Sequence, residues 1–322
     1  MSKPLLQVKG LWKKYPIYGA LGKLFKPKTY MNAVADLSFE IHEGETYGLV
    51  GESGCGKTTT GRAIVGLTRA DAGEILYQGQ DLTKLSAEKL RPLRRDIQLV
   101  FQDPLSSLNP RQRIGALLEE PLIIQHQGDQ ESRRRQVMEI LERVGLSAEY
   151  YFRYPHELSG GQVQRLGLAR ALIIKPKLIV CDEPVSALDV SIQAQILNMM
   201  TQIQRDMGLS LLFISHDIGV VRYISSRVGV MYLGSLVEEA STEALFEKPL
   251  HPYTQALFSA VPDFSAGQRE RVALKGERPV RTDGFTGCVF HTRCPVATDL
   301  CRESAPAMRE VEPGHRVACH FV

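Results

Sequence analysis

Thr46-Tyr47-Gly48-Leu49-Val50-Gly51-Glu52-Ser53-Gly54-Cys55-Gly56-Lys57-Thr58 carries an apolar pentapeptide into a glycine-rich loop that closes on Lys-Thr, and residues 59–67 continue with helical signals. Strand, tight loop and helix in that order match the whole phosphate-loop pattern, flanks included. Glycines let backbone N–H groups curl round phosphate oxygens, and the N-terminus of the following helix adds positive potential. In this frame Ser53, Gly54, Cys55, Gly56 and Thr59 supply the cradle, Lys57 reaches the β- and γ-phosphates, and the Thr58 hydroxyl is a ligand for Mg²⁺. The stretch predicts a site for a nucleoside triphosphate.

Working outward, short apolar runs rich in β-branched residues recur at 97–101, 178–181, 209–215 and 228–233. Runs apolar on both faces are what the parallel strands of an α/β sheet present. From about Leu105 to Tyr154 the strand signal stops, and Val137, Ile140, Leu141 and Val144 recur at helical spacing, which predicts a helical insertion. Beyond about Glu247, Pro249, Pro252, Pro262, Gly267, Gly276 and Pro279 predict an extended appendage with little regular structure. The expected division is a core in two parts, 1–104 and 176–247, a helical subdomain at 105–175, and the appendage at 248–322.

Composition bounds the function. The 322 residues suggest two domains, at about 150 residues each. Hydrophobic residues at 43% and charged residues at 23% are ordinary for a folded globular chain. A net charge of +3 is too small a field to imply nucleic acid, so no nucleic-acid partner is expected. The longest stretch free of Asp, Glu, Lys and Arg, Val190 to Gln204, holds several Gln and an Asn and falls short of the ~18 apolar residues that span a bilayer. The first residues lack the apolar core and cleavage site of a secretory signal, so the cytoplasm is the default expectation.

A second motif, Leu178-Ile179-Val180-Cys181-Asp182-Glu183-Pro184, ends an apolar strand in two carboxylates. Such a pair is often only a helix cap or a solvated turn. Downstream of a phosphate loop, Asp182 reads instead as a holder of Mg²⁺ and Glu183 as the acceptor that polarises an attacking water. The segment Leu158-Ser159-Gly160-Gly161-Gln162 precedes a helical stretch, with Ser159 as a ready N-cap.

With that pentapeptide between the phosphate loop and the acidic strand, the sequence resembles the ATPase subunits of ATP-binding cassette (ABC) proteins. The resemblance implies ATP as the nucleotide and a RecA-like P-loop NTPase core with a helical subdomain and, here, a Cys-rich C-terminal appendage. It implies a dimer in which Ser159, Gly160, Gly161 and Gln162 face the γ-phosphate held by another subunit. Gln102 matches the family's glutamine loop, with a role towards Mg²⁺; Asp189, in Ser186-Ala187-Leu188-Asp189, lies in the D-loop; and His216 matches the histidine that contacts the γ-phosphate. Catalysis is thereby assigned to Glu183, His216 and Gln102. Tyr15 matches the aromatic that stacks on adenine, with Tyr30 as its competitor. Val163 departs from the family, which often carries a polar or basic residue there.

Phe101-Gln102-Asp103-Pro104, Tyr154-Pro155-His156 and the run His251 to Leu257 narrow the resemblance to ATPases of dipeptide and oligopeptide importers, usually paired with a second, different ATPase. This implies a heterodimer with a paralogue, two integral membrane permease subunits, an indirect solute-binding protein, and a peripheral place on the cytoplasmic face of the inner membrane. The surface after Gln102, with Arg111 and Arg113, is expected to dock a cytoplasmic helix of a permease. A nickel or other solute importer is the alternative. A soluble ABC ATPase acting apart from transport is disfavoured by the single phosphate loop and the lack of sustained heptads, and a mere metal-sensing adapter by Glu183 and His216.

Six cysteines are too few for a disulfide scaffold, yet Cys288, Cys294, Cys301 and Cys319 crowd into the tail. Four soft ligands in a cytoplasmic setting favour metal over disulfides. The tail resembles the four-cysteine segment of peptide-importer ATPases that holds a [4Fe–4S] cluster; Zn²⁺ stays open, although paired zinc knuckles are absent. His291, His315 and His320 read as surface residues. Cys55 and Cys181 read as small packing residues.

Overall fold

The computed structural model describes residues 3–18, 29–259 and 276–322. Pro262 and Gly267 of the expected appendage, and most of the stretch between Tyr15 and Tyr30, lie outside the described residues. The chain begins with β1 (Pro4–Ile17), β2 (Thr29–His42), β3 (Thr46–Val50), α1 (Lys57–Ile64), β4 (Ala72–Tyr77), β5 (Gln80–Asp81), α2 (Ala87–Leu93) and β6 (Ile97–Val100). It continues through α3 (Ile114–Ile124), α4 (Gln130–Arg143), α5 (Gly160–Leu172), β7 (Leu178–Asp182), α6 (Val190–Met207) and β8 (Ser210–Ser215). The remaining elements are α7 (Ile218–Ile224), β9 (Arg227–Tyr232), β10 (Ser235–Ser241), α8 (Thr242–Glu247), α9 (Pro252–Ser259), α10 (Asp299–Glu303), β11 (Arg309–Glu312) and β12 (His315–Val317). Two compact units emerge, one formed mainly by 85–214 and the other by 3–41, 46–84 and 215–322.

In the first unit, β6, β7 and β8 pair in parallel, with Ile97 opposite Leu178, Val100 opposite Cys181 and Asp182 opposite Ile214. All residues of β7 and β8 are buried, the condition that makes both faces apolar and the strands legible in sequence. The helical insertion contains α3 and α4. Asp129 caps α4 by accepting the Ser132 N–H at 2.8 Å, and Val137, Ile140 and Leu141 form its buried stripe.

In the second unit, β3 and β9 are parallel, with Val50 opposite Val230. β9 turns back into antiparallel β10, which pairs with β12, and β12 with β11. A separate four-stranded sheet runs in the order β2-β1-β4-β5. The appendage therefore carries more regular structure than its Pro and Gly content suggested: α9, α10 and two strands that extend the β10 edge. Those strands have four and three residues, too short to show a period of two.

The join between β10 and the tail is polar and hydrogen-bonded, and its carboxylates are buried. Glu238, fully buried, accepts from the backbone N–H of Leu250 at 2.7 Å and of His251 at 2.9 Å, and pairs with His315 Nε2 at 2.8 Å. His315 is 2% exposed, so its reading as a surface residue is corrected: a carboxylate from β10 draws it inside. Glu239, on the same strand, accepts from Tyr47 OH and Arg316 Nη1, each at 2.9 Å. Each buried carboxylate is matched by donors, without which its burial would be prohibitive.

His251 is 1% exposed, accepts the Tyr253 N–H on Nδ1 at 3.0 Å and lies against Phe290. Burial pushes its pKa down to about 4 from 6.5. Between these values the unfolded chain binds a proton that the folded chain refuses, so stability falls as pH drops through that window. His251 alone is expected to cost about 2 kcal/mol between pH 7 and pH 5. Urea unfolding of the parent and of His251→Gln at both pH values checks this: the parent's advantage shrinks at pH 5, and a constant difference would contradict it.

Candidate active site

The loop between β3 and α1 is shaped by backbone that approaches too closely for any side chain. Gly51 has φ 152° and Gly56 φ 112°; a Cβ on the first would strike the Met231 carbonyl oxygen, and on the second the Ala33 carbonyl oxygen. Gly56 also serves as N-cap of α1 and receives the Thr60 N–H at 2.9 Å. Lys57 is 4% exposed, and its ammonium donates to the carbonyls of Gly51 at 2.7 Å and Glu52 at 3.1 Å. The cation is thus curled inside a ring of loop backbone. Thr58 and Thr59 stand half-buried on the first turn of α1, and Ser53 and Gly54 are exposed at the rim. Burial raises the pKa of the Cys55 thiol despite the nearby Lys57, as suits a neutral packing residue.

His216 follows β8 and is exposed. Its neighbour Asp217 caps α7 by accepting the Val220 N–H at 3.1 Å, which fixes the turn that presents the histidine. Tyr15 lies near the end of β1, 36% exposed, with Lys13 Nζ 5.6 Å from its ring centre; Tyr30, on β2, is 40% exposed. The two aromatics are similarly available.

Asp182 ends β7 and is 5% exposed. Glu183 has φ 50°, a left-handed conformation in a non-glycine residue that precedes a proline. Such strain costs about 1–3 kcal/mol and gathers at functional sites. It is held by the Glu183 N–H donating to the Ile214 carbonyl at 2.9 Å. The side chain meets Gln102, whose Nε2 donates to Glu183 Oε2 at 2.8 Å. Two residues 81 positions apart are therefore brought together, the amide orienting a carboxylate that can accept a proton from water.

Ser159 begins α5 with a reciprocal cap, its N–H donating to Gln162 Oε1 at 2.9 Å. The other end of that amide donates to Tyr150 OH at 2.8 Å. Ser159 and Gly160 are exposed, so the start of this 13-residue helix opens to solvent. A Cβ on Gly161 would stand 2.7 Å from Ile192 Cγ2, which explains the second glycine. Val163 is 4% exposed and packs inward, so its apolar character is a core choice at that position. Asp189 is exposed at the N-cap position of α6, where its backbone carbonyl accepts the Gln193 N–H at 2.9 Å.

Cys288, Cys294, Cys301 and Cys319 are free thiols. Burial, and then the charges of Cys301, Cys294 and Cys319, push the Cys288 thiol up to about 11. The Cys288 N–H donates to the Cys301 carbonyl at 2.7 Å. Among the described residues no group of three or more His, Cys, Asp or Glu is placed to hold a metal ion, which bears on the iron–sulfur and the zinc expectation alike. His291 Nδ1 is 2.7 Å from the Cys288 carbonyl and His320 Nε2 2.9 Å from that of Ser304.

The sequence reading missed Arg293 and Tyr253, which both hold Glu52 of the loop. The Arg293 pair spans 241 positions, and no local pattern announces it. Among the described residues no helix is long and apolar enough to cross a membrane.

Comparison with known proteins bears on the whole chain. Residues 34–186 match the family model described as ABC transporter, and 237–301 that of the oligopeptide/dipeptide transporter C-terminal region. The oligopeptide transport ATP-binding protein AppF of Bacillus subtilis (strain 168) is 50% identical, over 99% of this chain and 98% of its own. The dipeptide transport ATP-binding protein DppF of Haemophilus influenzae is 46% identical, over 100% and 98%. Among solved structures, the dimeric form of MJ0796, a bacterial ABC transporter cassette, is 29% identical with a TM-score of 0.66, covering 74% of this chain and 98% of that one. The same cassette is known in a dimeric post-hydrolysis state bound to ADP and Pi. With a phosphate loop, a strand-end carboxylate pair and an exposed signature helix already in place, the chain belongs to the ABC transporter ATPases, in the branch of the oligopeptide/dipeptide transport ATP-binding proteins.

Proposed function

We propose that this chain hydrolyses ATP at a dimer interface and drives peptide uptake through membrane-embedded permeases. The observation that carries the catalytic part is Glu183, strained at φ 50° and oriented by Gln102. Glu183 accepts the proton of the attacking water, and Gln102 holds the carboxylate for it. Lys57 and the amides of 53–59 bind the phosphates, Tyr15 stacks on adenine, and Thr58, Asp182 and Gln102 hold Mg²⁺, which neutralises charge developing on the phosphates. His216 contacts the γ-phosphate. Ser159, Gly160, Gly161 and Gln162, with Asp189, complete the site of a second subunit. The open N-terminus of α5 supports that reading, since such an end attracts an anion. The second subunit is a paralogue. Glu183→Gln is expected to keep MgATP binding and to lose turnover by about 10²- to 10³-fold, whereas Lys57→Ala loses binding itself. Nucleotide titration alongside phosphate release checks both, and near-parental turnover in Glu183→Gln would remove the residue from catalysis.

A groove of about 530 Å³ in the first unit is lined by Leu99, Phe101, Pro104 and Ile124, together with Arg94 and an ion pair of Arg170 with Glu120 at 2.9 Å. Its lining includes Phe101, the residue before Gln102, and its occupant is a short cytoplasmic helix of a permease, apolar on one face. Arg111 and Arg113 do not line it; Arg113 lies over the Tyr154 ring. The chain sits at the cytoplasmic face of the inner membrane through this contact. Ile124→Asp is expected to prevent co-purification with the permeases while MgATP binding stays parental. Retention of the complex would move the docking site elsewhere.

The four tail cysteines hold a [4Fe–4S] cluster. Support comes from the chemistry of four soft ligands within one short segment, with Cys288 near enough to Cys294, Cys301 and Cys319 to feel their charge. Cysteines that hold iron do so as thiolates, having given up their protons. The cluster supplies a fixed point for the tail and takes no part in hydrolysis. Anaerobic isolation followed by iron and acid-labile sulfide analysis checks it: the parent holds both, Cys294→Ser loses both, and one zinc without sulfide would overturn it.

A further inference from the structure

The C-terminal segment reaches the outer side of the phosphate loop at three places. Tyr253 OH accepts the Glu52 N–H at 2.9 Å. Arg293 donates through both terminal nitrogens to the Glu52 carboxylate, at 2.8 and 3.1 Å, and from Nη1 to Tyr232 OH at 3.3 Å. Arg278 donates to the Ser53 carbonyl, and its Nη2 lies 2.8 Å from where a Cβ on Gly54 would stand. The Arg293 fork is the strongest of these, being bidentate and charge-assisted, with side chains 8% and 27% exposed.

Arg293 is itself held firmly. It precedes Cys294, and its N–H donates to the Phe290 carbonyl at 3.0 Å. Phe290 is fully buried, edge-on to Tyr232 at 5.3 Å and tilted against Tyr253 at 5.4 Å. Glu52, at the other end, is not a bystander of the loop. Its carbonyl accepts from Lys57 Nζ and from the Cys55 N–H, each at 3.1 Å. A shift of Glu52 moves the lysine and a cradle amide together. Its carboxylate, left unpaired, would also place negative charge beside a triphosphate.

We propose that Arg293 is a positioning residue for nucleotide binding, through which the cysteine-bearing C-terminal segment sets the affinity of the phosphate loop. The arginine fixes Glu52 and cancels its charge, and neither effect requires the cysteines to be metallated. The inference rests on the reading of the loop as the MgATP site.

The test uses the full chain in its assembled complex, with steady-state hydrolysis and MgATP titration. Arg293→Gln is expected to raise KM for MgATP about tenfold, the worth of a charged hydrogen bond, with kcat at saturation kept within about twofold. Arg293→Lys keeps the charge without the fork and falls between. In a Glu52→Gln background, with no carboxylate to place or neutralise, Arg293→Gln adds nothing. A parental KM in Arg293→Gln overturns the proposal, as does the same tenfold factor in both backgrounds, which would mean the arginine acts on ATP without Glu52. If Arg293→Gln does not fold, a parental KM in Arg293→Lys is the overturning result. Failure of the parent complex to bind MgATP would instead sink the reading of the site.

Discussion

The close approach of three backbone segments at Gly51 and Gly56 is the constraint on which the nucleotide site depends. The Met231 carbonyl of β9 and the Ala33 carbonyl of β2 stand where a Cβ at these glycines would project. The loop is thus a wall between two strands, and its curvature is dictated by what packs behind it. Gly48, within β3, is confined instead by side chains: a Cβ there would strike Val221 Cγ1 and Ser225 Oγ. The Gly234 N–H donates to the Cys55 carbonyl at 2.9 Å, tying the turn after β9 to the middle of the loop. A phosphate cradle needs amides held in place before the ligand arrives, because ordering them on binding would cost affinity.

Preorganisation takes a different form at Glu183. There the backbone is strained, and the strain persists because the residue leaves a wholly buried strand and is caught at once by the Ile214 carbonyl. Pro184 follows and limits the relaxation available to the preceding residue. The carboxylate then has little choice of direction, and the Gln102 amide removes what is left. A glutamate without this contact would be free to sample more directions than one tied to the Gln102 amide.

Legibility in the sequence followed burial. β3, β7 and β8 were readable because both of their faces are apolar, and α4 because its stripe of Val137, Ile140 and Leu141 is regular. The loop and the acidic strand end were readable because their chemistry demands local residue types. The sheet of β1, β2, β4 and β5 escaped notice: β1 mixes lysines, of which Lys9 is exposed, with core leucines, and β5 has two residues. β10 was hidden by Glu238 and Glu239, which look like surface and are core. Their partners His315 and Arg316 lie 77 positions away, so neither half of the pattern makes sense alone.

Those buried carboxylates raise a question of purpose, since apolar residues of similar volume often serve a core as well or better. Glu238 spends two acceptor contacts on the N–H groups of Leu250 and His251, immediately before α9. Donors at the start of a helix have no partner within it and must find one elsewhere. An apolar residue at this position on β10 would fill the space and leave both donors unsatisfied. With the carboxylate present, the entry of α9 is fixed in position and direction, and Tyr253, on its first turn, is carried to the Glu52 N–H. The hydrogen-bonded joint therefore secures placement more than stability: it aligns the C-terminal segment on β10 so that its tyrosine and Arg293 meet the same residue of the phosphate loop.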